Sequence, residues 1–381
     1  MLCRARTLTL SWLAALASCA GVAPDPSRVD AGELREVELT DEQRAQCERD
    51  EEVAIAAVLR RNYVDAGEAA VRVLSVDPRA ARCRAVLGMV RLQLAGREDP
   101  IEWAGLRAGE AQMELARQLA PDDAFVGWMR AVFLAEAGHM SAAAAVAEEA
   151  LVRAEGAPDD ERAALLGIAG TYRYELGEER AALPHLRGYV TMRPDDTTAR
   201  FRLGICLLRI SQVPKGLPDV KLQQAQAQAE SAAIAFLRCA EQAPGDEDAA
   251  LSVSSAYLRA AELADERGDA AGRDARRGQA VAHLRKVAEA FAQSPEAHFR
   301  LGVIATMQDQ PEEARAAYVV ALERDPRHLP SMLNLAALLV GGDDDAARGL
   351  LQRALASDEL SRDERRRIEQ WLERAPAPRE G

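Results

Sequence analysis

A spacing of about 34 residues recurs along this chain and limits its fold more than any other feature. One copy runs through Phe299-Arg300-Leu301-Gly302, then Ala314, Tyr318, Ala321 and Pro326. The intervals from Gly302 onward are 12, 4, 3 and 5 residues. Residues three and four apart share a helix face, so Ala314, Tyr318 and Ala321 predict one apolar seam. The residue before a proline is biased away from helix, so Pro326 predicts the end of that helix. The expected product is a two-helix hairpin that can bury its seam only against a neighbour.

The same order returns at Ala169-Gly170, Gly177, Ala182, Leu186 and Pro194, and at Leu203-Gly204, Ala232, Phe236, Cys239 and Pro244. Earlier copies use Ala54, Ala66, Ala70, Val73 and Pro78, then Leu87-Gly88, Met113, Ala116 and Pro121. Trp128, Ala131, Gly138, Ala143, Ala147 and Ala150 follow the pattern without a closing proline, as do Leu335-Ala336, Ala347, Leu351 and Ala354. The tetrapeptide Phe-Arg-Leu-Gly occurs at both 201–204 and 299–302. In the copy holding Ala280, Leu284 and Val287, Pro295 comes about three residues late, and a longer second helix is the expected reason. Residues are 48% hydrophobic but only 4% aromatic, which suits closely packed, alanine-rich helices better than a sandwich or barrel. One continuous folded body is expected.

These residues resemble the tetratricopeptide repeat, with its Trp-x2-Leu-Gly-x2-Tyr, Ala-x3-Phe-x2-Ala and closing-proline pattern. The resemblance covers roughly residues 47–359 in about eight copies, within a solenoid expected over 40–359. It implies an all-α, right-handed superhelical α-solenoid, with the two helices of a hairpin approaching where the pattern puts its glycine and its first alanine. Three copies are stretched, at Ala95 to Trp103, Arg209 to Gln224 and Ala264 to Gly278. Pro214, Gly216 and Pro218 break any helix across the second, whereas the third can continue the helices. Thr40 with Gln43 predicts a capping box opening the first helix. Ser361 with Glu364 predicts another, before a capping helix over 360–374 that covers the last seam with Ile368, Trp371 and Leu372. Residues 375–381 are expected to form a disordered tail.

The amino terminus carries a different signal. Arg4 and Arg6 precede an apolar run from Leu8 to Ala17, the form of a secretory signal peptide over residues 1–18. Its ten or so residues fall short of the roughly 20 that span a bilayer. Leu16-Ala17-Ser18-Cys19 resembles the lipobox of bacterial lipoproteins. That resemblance implies cleavage before Cys19 and acylation of its thiol, with palmitate-type chains holding the protein to a lipid bilayer. Each buried CH2 contributes about 0.8 kcal/mol, so several chains anchor where one does not. Ala20 and Gly21 follow, and the absence of aspartate at the second mature position favours the outer membrane in the enterobacterial form of the family. Residues 19–39, with Pro24 and Pro26, read as a lipidated flexible tether.

In the family, first helices line a concave groove. Carried onto this chain, the groove positions are Trp128, Met129, Tyr174, Phe201, Arg202, Arg209, Arg259, Phe299, Arg300 and Asn334. Aromatic residues supply rigid contact area and arginines pair with carboxylates. The same residues also suit packing within a wound superhelix. Family members that clamp a terminal carboxylate need an asparagine where this chain has Val132, Thr171, Ile205 and Val303, so an internal or amphipathic partner segment is the better expectation.

The net charge of −13, with no basic stripe, argues against nucleic acid. Five scattered histidines, and no HExxH, P-loop, GxSxG or dinucleotide fingerprint, give no catalytic or metal site and imply no cofactor. Asp195-Asp196 and Asp343-Asp344-Asp345 read as helix caps. Cys47, Cys83, Cys206 and Cys239 form no CxxC; Cys206 and Cys239 can pair within one repeat or stay reduced and buried. The expectation is a non-enzymatic adaptor on the periplasmic side of a bacterial envelope, binding protein partners. The layout is similar to helical-repeat lipoproteins serving outer-membrane assembly, secretin assembly or cell-wall enzyme regulation. A glycan- or peptidoglycan-binding accessory of an export complex is the rival, and a plain structural spacer the third reading.

Overall fold

The computed structural model describes residues 34, 36–96, 103–154 and 156–374. The predicted leader, Cys19, most of the tether and the tail after 374 lie outside the described residues.

Among the described residues there are seventeen α-helices and no strand. Sixteen of them form eight hairpins. They are α1 (Asp41–Leu59) with α2 (Tyr63–Val76), α3 (Ala81–Ala95) with α4 (Trp103–Leu119), α5 (Ala124–Glu136) with α6 (Met140–Arg153), and α7 (Asp159–Glu175) with α8 (Glu179–Met192). Then come α9 (Thr197–Ile210) with α10 (Asp219–Gln242), α11 (Glu247–Glu266) with α12 (Ala270–Ala290), α13 (Pro295–Met307) with α14 (Pro311–Arg324), and α15 (Leu329–Leu339) with α16 (Asp344–Leu355). The last helix is α17 (Arg362–Arg374). The architecture is an α-solenoid. Where one continuous body was expected, the packing resolves into two compact units that divide between Ile168 and Ala169, within α7. In such an array each hairpin touches only its neighbours, so contact density has no single centre.

Small residues set the distance between the helices of a hairpin. A Cβ on Gly302 would lie 2.5 Å from the Tyr318 ring, one on Gly204 2.6 Å from Phe236, and one on Gly170 2.9 Å from Leu186. The glycine makes room for the large residue four positions after the first alanine of the second helix, and those alanines, Ala314, Ala232 and Ala182, are fully buried. Tyr318 fills its slot and keeps its hydroxyl satisfied, 3.1 Å from Thr306 Oγ1 and accepting from Asn334 Nδ2 at 3.2 Å. That second bond ties α14 to α15 of the next hairpin.

Two buried arginines secure the closing prolines. Arg84 donates to the Pro78 carbonyl at 2.7 Å and to Gln112 at 2.8 Å. Arg200 repeats the arrangement with Pro194 and Gln242. In each case the guanidinium bridges the carbonyl of the closing proline, just past one hairpin, to a glutamine on the second helix of the next.

Local chemistry fixes the ends of helices. Thr40 and Gln43 make the reciprocal capping box of α1. Asp196 and Asp343 accept from the first-turn amides of α9 and α16, at 2.9 and 3.1 Å. Pro295 has a different role from the expected one. It occupies the first turn of α13, where its missing N–H costs nothing. Helix α12 ends three residues after Val287, as α14 ends three after Ala321, so the register is unbroken. Its 21 residues extend the helix at the amino end, where the Ala264 to Gly278 stretch continues α11 and α12 around a turn at 267–269. The stretch after Arg209 does break, at 211–218, before the 24-residue α10. At the far end, Ile368, Trp371 and Leu372 of α17 pack on the α15/α16 cluster. Cys83, Cys206 and Cys239 are buried free thiols, and burial raises the Cys206 pKa to about 12.

Candidate functional site

Several of the ten first-helix positions expected to line a groove are taken up in packing within their own hairpins. Met129 is only 2% exposed and belongs to the core. Its neighbour Trp128 packs edge-on against Phe125, with centroids 5.7 Å apart. Phe201 lies 5.3 Å from Phe236, and Phe299 sits between Tyr318 at 6.0 Å and His328 at 5.3 Å. Asn334 is occupied by Tyr318.

The arginines follow a common rule: each reaches back to the preceding hairpin. Arg300 on α13 donates to the Leu251 carbonyl at 2.9 Å and to Ser255 Oγ at 2.7 Å on α11, and it also pairs with Glu296 at 2.7 Å. Arg259 on α11 donates to the Ser211 carbonyl just past α9, at 2.9 Å, and to Glu262. Arg209 and Arg202 of α9 lie 5.8 and 6.0 Å from the Tyr174 ring centre on α7. Arg209 also pairs with Glu179 at 2.9 Å, and Arg202 approaches Glu175 at 3.5 Å. Pairing with Glu179 raises the Arg209 pKa, and burial raises that of Tyr174 despite the nearby Arg209.

Tyr174, Arg202 and Arg209 are therefore the one group of expected positions that the structure brings together, and they keep open faces. The side chains of Arg202 and Arg209 are 28% and 46% exposed. Beside them is a depression of about 480 Å³ lined by Gly177, Glu178, Glu179, Arg180, Arg209 and Gln212. A second groove, of about 470 Å³, lies against the 211–218 segment and includes Leu183, Ile210, Val213 and Leu217. The repeat pattern does not single out these four residues. Val213 and Leu217 were the available signal: two aliphatic residues four apart in a proline-broken insert that needs no core of its own.

Among the described residues no cluster of His, Cys, Asp and Glu could hold a metal, and no helix is long and apolar enough to cross a membrane. His283 is occupied by the Ala250 carbonyl at 2.8 Å, and burial lowers its pKa.

A family profile for the tetratricopeptide repeat matches residues 266–328, which take in α12, α13 and the Gly302–Tyr318 contact of α14. Residues 266–328 are thus recognised as tetratricopeptide repeat. Curated protein sequences yield no match to it. Several solved structures are similar to this chain at low identity. The C-terminal part of a repeat-containing protein from Cytophaga hutchinsonii is 17% identical, with 75% of this chain and 99% of that one covered and a TM-score of 0.46. A chain of the Naa15/Naa10 assembly bound to HypK-THB is 14% identical, with 85% and 46% covered and a TM-score of 0.49. PilF of Pseudomonas aeruginosa is 13% identical, with 63% and 92% covered and a TM-score of 0.41. None of these likenesses bears on function.

Proposed function

We propose that this tetratricopeptide-repeat protein is a non-enzymatic adaptor that presents a protein-binding surface while tethered to the bacterial envelope through acylated Cys19. The observation that carries the scaffold part is the distribution of polar side chains. Buried arginines and half-buried aromatics are consumed in holding hairpins together, whereas Arg202 and Arg209 keep open faces around Tyr174. A surface of that kind recognises shape and charge. The tether part rests on the leader sequence, with Arg4, Arg6, the apolar run and Leu-Ala-Ser-Cys in their expected order. A periplasm-facing position at the outer membrane follows from the same residues.

Two measurements test the halves separately. Metabolic labelling with palmitate should mark the wild-type chain, and Cys19→Ala should remove both the label and recovery with membranes. An unprocessed, unlabelled wild-type chain would end the anchored reading. Crosslinking in intact cells should then give a discrete protein adduct through the Tyr174 face. The glycan reading draws no support from the ring contacts, because Trp128 and Phe201 already pack against Phe125 and Phe236.

A further inference from the structure

The 211–218 segment turns this hairpin into something the repeat pattern alone does not supply. Gly216 takes a left-handed φ of +79°, and Pro218 starts α10, so the segment folds back onto the helices. Val213 and Leu217 pack on a cluster of Leu222, Ala225, Ala229, Ala260 and Leu263. Their remaining half-open surface, with Leu183 of α8 and Ile210 of α9, lines the groove of about 470 Å³.

Charge around this groove is uneven. The nearby acids are already spent: Glu178 on Arg173 at 2.6 Å, Glu179 on Arg209 at 2.9 Å, and Asp219 on Arg267 at 2.7 Å. The exposed groove residues Arg180 and Lys221 have no carboxylate partner among the described residues, and neither has Lys215 on the insert. The whole sequence has three lysines, Lys215, Lys221 and Lys286, and two of them are here. An otherwise acidic chain thus leaves unneutralised positive charge beside an apolar hollow. Neutral walls would suit any aliphatic ligand, whereas unpaired cations select for carboxylates.

We propose that this groove docks an acidic, amphipathic segment of a partner protein. Its aliphatic side chains enter between Leu183, Ile210, Val213 and Leu217, and its carboxylates meet Arg180 and Lys221. The hollow is concave, and so receives side chains; insertion into a bilayer would call for a projecting apolar tip. This inference rests on the partner-binding reading but not on the anchor at Cys19.

A phage-displayed library of random 16-residue peptides, selected on the purified full chain, tests it. Enriched peptides should combine two or more Leu, Ile or Val residues with flanking Asp or Glu. A synthetic copy of the best one should bind about tenfold more weakly to the Arg180→Glu/Lys221→Glu double variant in fluorescence anisotropy, with unchanged far-UV circular dichroism. Both substituted side chains are exposed and unpaired, so the fold should tolerate the change; Val213→Asp in the insert should weaken binding independently. Enrichment of basic or uncharged peptides, no enrichment, or affinity unmoved by both variants would overturn the proposal. So would binding of phosphatidylglycerol vesicles that the double variant abolishes, which would give the surface to lipid. Any of these failures would leave crosslinking at the Tyr174 face intact, so the groove and the adaptor reading can fall separately.

Discussion

The tetrapeptide Phe-Arg-Leu-Gly begins its work identically in α9 and α13 and ends differently. In both helices the glycine faces a large second-helix ring, with Gly204 against Phe236 and Gly302 against Tyr318. In both, the phenylalanine stacks on that ring, at 5.3 and 6.0 Å. The arginines diverge. Arg300 is held by a carbonyl, a hydroxyl and a carboxylate, whereas Arg202 has one distant carboxylate and the face of Tyr174. Residues that serve the hairpin are fixed by the hairpin. A residue that points outside it is fixed by whatever the preceding repeat offers.

The strongest way to break that comparison is to fill the shared slot. Gly302→Ala and Gly204→Ala each place a Cβ about 2.5 Å from a ring carbon, where real contacts essentially never lie. Overpacking of this kind costs about 1–3 kcal/mol. Both variants should therefore lower the thermal midpoint by several degrees and by similar amounts. A large drop in one and none in the other would mean that the two hairpins do not share a packing rule.

Such contacts are legible in sequence because they recur at fixed intervals, and the period of the helix turns an interval into a face. Gly302, Tyr318 and Ala321 announce themselves in this way. Pro295 misleads because proline is welcome at two places, past the end of one helix and in the first turn of the next, only three residues apart here. The partners of Arg300 are invisible, since Leu251 and Ser255 lie 49 and 45 residues away in a helix of different length. Val213 and Leu217 are equally silent. An irregular loop has no period, and its packing depends on what α10 and α11 happen to expose.

The arginines allow a second, smaller test. Arg300→Ala strips partners from a carbonyl, a hydroxyl and a carboxylate at once and should cost about 1–2 kcal/mol. Arg202→Ala removes only an open ion pair and a ring contact, and should cost about 0.5 kcal/mol or less. Thermal or urea unfolding of the two variants measures the gap. Equal losses would show that the twin tetrapeptides are energetically equivalent despite their different partners.

The finest distinction is one of acidity. Glu296 precedes Arg300 by four residues, and the corresponding position before Arg202 is Thr198, which has no carboxyl. The His328 hydrogen bond, followed by Arg300, outweighs burial and holds Glu296 at about 2 against an ordinary 4.5. A carboxylate whose folded pKa lies below its unfolded value stabilises the fold above the unfolded value, and that contribution fades as pH falls toward the folded one. Glu296→Gln should therefore be less stable than wild type at neutral pH, and the difference should shrink between pH 4.5 and 2. Thr198→Glu makes the reciprocal change, giving Arg202 a partner one turn away near a helix start. That pair is worth about 0.3–0.5 kcal/mol at neutral pH and should vanish in acid. If Thr198→Glu adds nothing at any pH, a first-turn acid four residues before the arginine is not enough by itself to hold Arg202 as Arg300 is held.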